Sequence, residues 1–172
     1  MSTPETASRP EAAQARNAAL RLLTIRPRTV AEMRERLEPR FGADTVEQTL
    51  ARLLSEGLLN DAEFAQQWRS SRERRKPRSR RMIEQELRSK GIADDVVSDA
   101  LEDYDSYDAA YRAAARYAAR QKGTVRETFN RRVGAFLERR GFEYETIRRI
   151  LQQLREELEI SGTGDADQEG RD

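Results

Sequence analysis

Apolar positions recur along this chain with the spacing of amphipathic helices, and the pattern returns after 50 residues. The repeat is clearest in the middle of each copy, where two apolar positions four residues apart match in all three copies. These positions hold Met33, Ile83 and Val133, followed by Leu37, Leu87 and Leu137. A fixed period of this length is typical of a tandem array of helical units.

Each copy is predicted to hold three helices. In the first copy, small and apolar residues at helical spacing run from Ala15 to Leu23, and Pro27 prevents that helix from continuing. Thr29, followed three residues later by Glu32, has the pattern of a capping box, which begins a short second helix. A third helix is predicted from Asp44.

The second and third copies repeat this order. Asn60 is predicted to cap the first helix of copy two, Pro77 to end it, and Ser79 to cap the second helix. Thr128 is predicted to cap the second helix of copy three. No segment has a competing strand pattern.

Glycines mark the predicted ends of the second helices. Gly91 and Gly141 hold equivalent positions, and a helix that ends there uses the left-handed conformation that glycine tolerates best. In the first copy the apolar residue Phe41 comes before Gly42, whereas in the other two copies the glycine comes first. Its turn is therefore predicted to differ by one residue.

These patterns predict an all-α fold of three tandem three-helix, helix-turn-helix-like repeats of about 50 residues in an elongated, curved array. The predicted repeats span 11–58, 59–104 and 105–160. The polar ends of the chain, residues 1–10 and 161–172, are predicted to be disordered.

A few residues are predicted to hold the repeats together. Trp68, one helical turn after Phe64, is interpreted as a core anchor that wedges two repeats; a base-stacking platform is less favoured because equivalent positions hold Ala18 and Ala118. The two leucines after Gly57 are predicted to be buried. The predicted structural residues are Trp68, Phe64, Leu58, Leu59, Gly91 and Gly141.

Composition removes most enzyme chemistry. The chain has no Cys and no His, which excludes thiolate or imidazole zinc sites, disulfides and imidazole-dependent triads. Asp103, Asp105 and Asp108 do not match the glycine and glutamate positions of a calcium-binding EF-hand loop. We therefore expect no catalytic residue, no cofactor and no metal. Without an apolar run of about 18 residues or a signal peptide, a soluble cytoplasmic protein is expected.

The formal charge of +1 conceals an uneven distribution. Residues 16–158 carry a net charge of +6, whereas residues 159–172 carry −4. All but three of the 32 basic residues are arginines, which suit carboxylates and phosphates, although a GC-rich genome would produce the same preference. Whether the acidic end shields the basic body as a mimic of DNA is left open by the sequence.

The strongest basic segment runs from Arg69 to Lys90, with ten basic and three acidic residues. Like charges this close repel, which favours a phosphate backbone or an acidic protein surface as partner; a solvated helix end is the alternative. Together with arginines of the third copy, the predicted binding residues are Arg72, Arg74, Arg75, Lys76, Arg78, Arg80, Arg81, Arg88, Arg131, Arg132, Arg139 and Arg140.

Charge also argues against a sequence-specific helix-turn-helix reader, whose last helix enters the major groove. The last helices of the three copies carry −2, −5 and −1, whereas the second helices carry +1, +3 and +3. Any nucleic acid should therefore meet the second helices and the loops before them, through backbone contacts that carry little sequence information.

Three strings of residues resemble a known family. They are Gly-Leu-Leu-Asn-Asp-Ala-Glu-Phe-Ala at 57–65, Glu-Leu-Arg-Ser-Lys-Gly-Ile at 86–92 and Phe-Leu-Glu-Arg-Arg-Gly-Phe at 136–142. With Trp68 and a basic helix following the first string, the chain from about Ala15 to Leu158 resembles RecX, the bacterial regulatory proteins of the RecA recombinase.

The resemblance implies three tandem three-helix units and a regulator of RecA, in homologous recombination, DNA repair and the SOS response. RecX-like proteins bind RecA, in particular its filament on single-stranded DNA, and limit ATPase, strand exchange and coprotease activity. In this interpretation the basic residues meet phosphates or an acidic RecA surface, and the chain acts as a monomer. The alternatives are a nucleic-acid-binding module that acts without RecA and a helical scaffold for another acidic protein.

Overall fold

The protein, described by a computed structural model, has nine α-helices and a short 3₁₀ turn within residues 9–121 and 124–158. The first repeat contains α1 (Arg9–Ile25), α2 (Val30–Leu37) and α3 (Ala43–Ser55). The second contains α4 (Asp61–Arg75), α5 (Arg80–Ser89) and α6 (Asp94–Ala100). The third contains α7 (Ser106–Ala118), the 3₁₀ turn (Ala119–Gln121), α8 (Arg126–Glu138) and α9 (Tyr144–Glu157). The predicted series of three three-helix units is confirmed.

Helix α1 begins at Arg9, two residues before the predicted start of the first repeat. The other residues predicted to be disordered, 1–8 and 161–172, lie outside the described residues.

The described residues form two compact units, and the division runs through the middle repeat. Unit one contains the described residues up to Ser70 together with Glu84–Asp103. Unit two contains Ser71–Ile83 and the described residues from Tyr104 onwards. Helices α4 and α5 therefore each contribute residues to both units.

The core of unit one is an apolar cluster on the facing sides of α1, α2 and α3. Its buried members are Ala18, Ala19, Met33, Leu37, Val46, Leu50, Leu53 and Leu59. The prediction that Leu58 is also buried is wrong, since Leu58 is 43% exposed and Leu59 only 2%. Helix α3 has ended by this point, and of the two adjacent leucines only Leu59 packs into the core cluster.

The core of unit two lies among α7, α8 and α9. Alanines of α7 face larger apolar side chains of the two other helices, which lets the helices approach closely. The buried members are Ala110, Ala114, Ala118, Phe129, Val133, Leu137, Phe142, Ile147, Ile150 and Leu154.

Helix starts follow the predicted caps in the first two repeats. The Thr29 hydroxyl accepts a hydrogen bond from the backbone N–H of Glu32 (3.1 Å), and Ser79 accepts one from Met82 (3.3 Å). Asn60 caps α4 in the same way, with its side-chain oxygen 3.0 Å from the backbone nitrogen of Glu63.

The prediction of Thr128 as a cap is wrong. Helix α8 begins at Arg126, with Val125 as the N-cap residue, so Thr128 lies in its first turn. The residue 50 positions after Ser79 is Phe129, which is fully buried and has no polar oxygen with which to cap. The helix therefore extends one further turn towards its N-terminus than α2 or α5.

Glycines end the helices where the sequence predicted. Gly91 and Gly141 have φ values of 76° and 79°, and Gly57 has 70°. Gly42, with φ of −62°, is instead the N-cap residue of α3. The turn of the first copy thus differs from the other two, as predicted.

Candidate binding surfaces

The two units differ in charge. The described residues of unit one include 12 basic and 16 acidic side chains, a net charge of −4. Those of unit two include 18 basic and 9 acidic side chains, a net charge of +9. The positive charge of the chain is therefore concentrated in one compact body.

Eleven of the twelve predicted binding residues belong to unit two. The exception is Arg88, which lies in unit one and binds the Asp94 carboxylate at 2.6 Å, with Glu84 3.8 Å away. Its charge is already neutralised within the protein.

The basic residues of the middle repeat surround the connection between α4 and α5. Arg74, Arg75 and Lys76 are exposed where α4 ends, and Arg81 is exposed in the first turn of α5. Basic residues in the last turn of a helix complement its dipole, which stabilises this arrangement. The neighbouring basic residues, Arg72, Arg78 and Arg80, are half-buried and interact with other residues of the protein.

Arginines of α8 and of the turn that follows it form the second part of the basic surface. Arg131, Arg132 and Arg139 are exposed, and Arg132 donates a hydrogen bond to the Gln121 side chain (2.9 Å). The Arg140 guanidinium lies 3.7 Å from the centre of the Phe136 ring. Arg140, just after α8, therefore packs against the last turn of that helix.

Unit two brings these two basic segments together. The backbone N–H of Ser79 donates a hydrogen bond to the carbonyl of Arg140 (2.9 Å). Burial, and then the positive charges of Arg139 and Arg78, lower the pKa of Arg140 below its ordinary value. No carboxylate forms an ion pair with Arg140 among residues 9–121 and 124–158. The result is a cluster of like charges from segments about 60 residues apart in the sequence.

Hydrogen bonds to its backbone hold the α4–α5 connection in place. The Tyr104 hydroxyl donates to the carbonyl of Arg78 (2.6 Å), and the N–H of Arg80 donates to the Ser106 hydroxyl (3.2 Å). A Cβ atom at Gly141 would lie 2.5 Å from the Met82 sulfur. The exposed arginines thus extend from a closely packed support, which lowers the entropy lost when they bind a partner.

Unit one contains an equivalent junction, in which the cation is paired with a carboxylate. The Thr29 hydroxyl donates a hydrogen bond to the carbonyl of Lys90 (2.7 Å). At the equivalent place in unit two, the backbone N–H of Ser79 donates to the carbonyl of Arg140. The Lys90 ammonium binds Glu32 (2.9 Å), which also binds Arg26 (2.7 Å). Burial raises the pKa of Glu32, but the hydrogen bonds from Arg26 and Lys90 outweigh it and hold that pKa below its ordinary value.

Trp68 belongs to this junction of unit one. Its ring stacks on Phe64 with 5.8 Å between centres, and the Lys90 ammonium lies 4.6 Å from the Trp68 ring centre. Its indole N–H donates to Glu86 (2.7 Å). These three partners all belong to the second repeat and Trp68 is only half-buried, so its role as a core anchor that wedges two repeats stays a prediction.

Two features of the site were missed from the sequence. Arg28 is 92% buried, which the usual exposure of arginine did not suggest. The 50-residue period pairs Glu32 with Met82, so the acid that neutralises one junction is missing from the other. That second signal was present in the sequence.

No metal site was predicted. In the part of the chain that the structure describes, no three or more Asp or Glu side chains lie close enough together to hold a metal ion. None of the helices described is both long and apolar enough to cross a membrane.

Comparison with known families gives three matches in series. The model for the first three-helix domain of RecX matches residues 15–53, that for the second matches 60–101, and that for the third matches 103–151. Together these matches cover more than half of the chain.

Curated relatives have the same name, Regulatory protein RecX. The protein of Mycolicibacterium smegmatis is 40% identical over 139 residues, 75% of this chain and 73% of its own length. That of Mycobacterium tuberculosis is 38% identical over 147 residues, 81% and 83% of the two chains. That of Pelodictyon phaeoclathratiforme is 34% identical over 137 residues, 79% and 86%.

Solved structures agree with the fold. The crystal structure of RecX from Lactobacillus salivarius has a TM-score of 0.71 and 24% identity over 84% of this chain and 96% of its own. A second crystal structure, of a regulatory protein RecX, has a TM-score of 0.67 and 23% identity over 83% and 72%. On the three domain matches and the identity to its relatives, the chain belongs to the RecX family of regulatory proteins.

Proposed function

We propose that this chain binds RecA and its filament on single-stranded DNA and limits ATPase, strand exchange and coprotease activity. It acts as a monomer in the cytoplasm and is not an enzyme. Family membership supports the partner. The observation that supports the mechanism is the junction of Ser79 with Arg140, because it gathers two basic segments into one surface that suits phosphates.

The proposed contact is with the phosphate backbone. Exposed guanidinium and ammonium groups at the α4–α5 connection and on α8 neutralise phosphates without reading bases. A regulator of a filament that covers any sequence needs this indifference to sequence. RecA supplies the specificity through protein contacts.

The test compares two fourfold variants with equal loss of charge. The first changes Arg74, Arg75, Lys76 and Arg81 to Gln; the control changes Arg9, Arg21, Arg36 and Arg40 of unit one, all exposed, to Gln. Each is titrated below one per RecA monomer while RecA hydrolyses ATP on single-stranded DNA. We expect the natural chain and the control to suppress hydrolysis and the first variant to suppress it much less.

The outcomes separate the parts of this proposal. Suppression by the natural chain and equally by both variants would keep the function but reject this surface. No suppression by the natural chain would reject the RecA function. The charge of unit two would then favour a module that acts on nucleic acid alone. This alternative requires that the affinity for single-stranded DNA falls with salt concentration. It also requires that the first variant reduces the slope of log affinity against log salt concentration by up to about 3.

A further inference from the structure

Unit one contains a groove that the basic surface does not use. It has a volume of about 220 Å³ and lies between the end of α1, the α3–α4 connection and the first turns of α4. Leu23, Pro27, Leu58 and Phe64 supply its apolar walls. Leu58 is 43% exposed, so the groove opens to solvent beside a large apolar side chain.

A buried cation lines the same groove. Arg28 is only 8% exposed, and its Nε donates a long hydrogen bond of 3.4 Å to the carbonyl of Leu22. None of the carboxylates that the structure describes forms an ion pair with it. Burial lowers the pKa of Arg28, the charge of Arg26 acts in the same direction, and Glu32 only partly opposes them. A buried charge without a counter-ion is costly, so this site favours a negative group from outside the chain.

The other polar groups of the groove are engaged locally. The Glu63 carboxylate accepts a hydrogen bond from the Gln67 amide (3.0 Å), and the Asn60 oxygen accepts one from the backbone of Glu63. Arg28 is thus the group best placed to hold a ligand carboxylate. The surrounding leucines and Phe64 would cover an apolar side chain next to it.

The size and charge of the groove restrict the occupant. Small-molecule pockets are commonly about 300–1,000 Å³, so this groove suits one or two side chains better than a cofactor. Unit one is acidic overall and Glu63 lies in the groove wall, which disfavours the repeated charges of a phosphate backbone more strongly than a single carboxylate beside Arg28. A protein segment with an apolar residue beside an Asp or Glu fits both the walls and Arg28.

We propose that this groove docks an apolar side chain flanked by a carboxylate on the surface of a RecA subunit. The inference rests on the proposed function and assigns it a second surface: unit two binds the phosphates and unit one binds RecA. Separate surfaces would let affinity for RecA change without any change in affinity for DNA.

The test uses two leucines of unit one with nearly equal exposure. Leu58→Glu places a negative charge in the groove; Leu54→Glu changes a leucine that is 46% exposed and does not line it. Binding of each labelled full-length chain is measured to RecA alone, to single-stranded DNA alone and to the filament. We expect Leu58→Glu to bind RecA at least tenfold more weakly with unchanged DNA affinity, and Leu54→Glu to match the natural chain.

A second variant tests the cation. Arg28→Gln removes the charge and is compared with Arg28→Lys, which keeps it, after thermal unfolding shows that both chains are folded. Weaker RecA binding in the glutamine variant, restored at least in part by lysine, supports a ligand carboxylate. If the glutamine variant fails to fold, Leu58→Glu decides alone.

Three results would overturn the docking proposal while the RecA function stands. The first is unchanged RecA binding by Leu58→Glu, and the second is a loss of DNA affinity in that variant as large as its loss of RecA affinity. The third is a dimer of the natural chain, seen by sedimentation, that Leu58→Glu dissociates. That result would assign the groove to a second copy of this chain. Failure of the natural chain to bind RecA would instead reject the proposed function itself, and the RecA docking site with it.

Discussion

Unit one and unit two each contain the first turn of a repeat's second helix, α2 in unit one and α5 in unit two, and that turn meets the glycine turn of the following repeat. In unit one the cation at this turn, Lys90, is neutralised by Glu32 at 2.9 Å. In unit two the equivalent cation is Arg140, and Met82 stands where the repeat places the acid. One difference in side chain thus separates a junction whose cation pairs with a carboxylate from one whose cation forms no ion pair with the carboxylates that the structure describes.

The junctions also differ in how tightly the glycine is enclosed, which gives the largest expected effect. A Cβ at Gly91 would lie 2.3 Å from the Cβ of Ala31, whereas at Gly141 its nearest neighbour is the flexible thioether of Met82. Gly91→Ala should lower the free energy of unfolding by about 2–5 kcal/mol, from left-handed backbone strain and overpacking. Gly141→Ala should cost about 1–3 kcal/mol, since Met82 can move.

Urea unfolding, monitored by circular dichroism, measures the free energy of unfolding of both variants. The control is Gly134→Ala in the interior of α8, where a Cβ finds ordinary contact at 3.9 Å and should stabilise the helix by about 0.5–1 kcal/mol. Equal losses at Gly91 and Gly141 would show that the two turns are enclosed alike.

Exchanging the residues that distinguish the junctions should change different properties in the two units. Glu32→Met leaves Lys90 and Arg26 without their carboxylate and should cost about 1–3 kcal/mol of stability with little effect on DNA binding. Met82→Glu supplies an acid in the basic unit and should weaken binding to single-stranded DNA roughly fivefold, about 1 kcal/mol.

Fluorescence anisotropy with labelled single-stranded DNA measures the second effect. Gln85→Glu, which adds the same charge to an exposed position of α5 in unit one, is the control and should have a smaller effect. A larger loss from Gln85→Glu than from Met82→Glu would contradict the assignment of the phosphate surface to unit two.

The junction that contains Glu32 should also respond to acid. The folded-state pKa of Glu32 is below its unfolded value of about 4.3, so its ion pairs stabilise the fold fully above that value. This contribution disappears as the pH falls from about 5 through the folded-state pKa. Stability measured from pH 7 to pH 3 should therefore fall further in the natural chain than in Glu32→Gln, and parallel curves would exclude a role for Glu32.

Local features of this fold were readable from the sequence because they depend on neighbouring residues. The 50-residue period, the helix-breaking prolines and the caps at Thr29, Asn60 and Ser79 each act within a few positions. Thr128 was misplaced because a cap pattern cannot show that Phe129 is needed in the core. Leu58 was misplaced because apolar character alone does not decide which of two adjacent side chains turns inward.

The candidate surfaces needed the tertiary structure. Basic composition identified the arginines, but the approach of Arg78 to Arg140 depends on a junction between repeats. The burial of Arg28 depends on how α1 ends beside α4. Such positions are set by packing between segments distant in sequence, which a periodic pattern does not encode.

The smallest predicted effect compares one arginine from each unit, both at or near the end of a second helix and both predicted as binding residues. Arg139 is exposed beside Arg140, so Arg139→Gln should weaken single-stranded DNA binding roughly two- to threefold and reduce the salt slope by about 0.7. Arg88 already binds Asp94 at 2.6 Å, and a phosphate would have to compete with that carboxylate. Arg88→Gln should therefore leave both the affinity and the salt slope unchanged within error. If the two substitutions reduce the slope equally, the phosphate surface extends into unit one, and Asp94 yields Arg88 to the DNA.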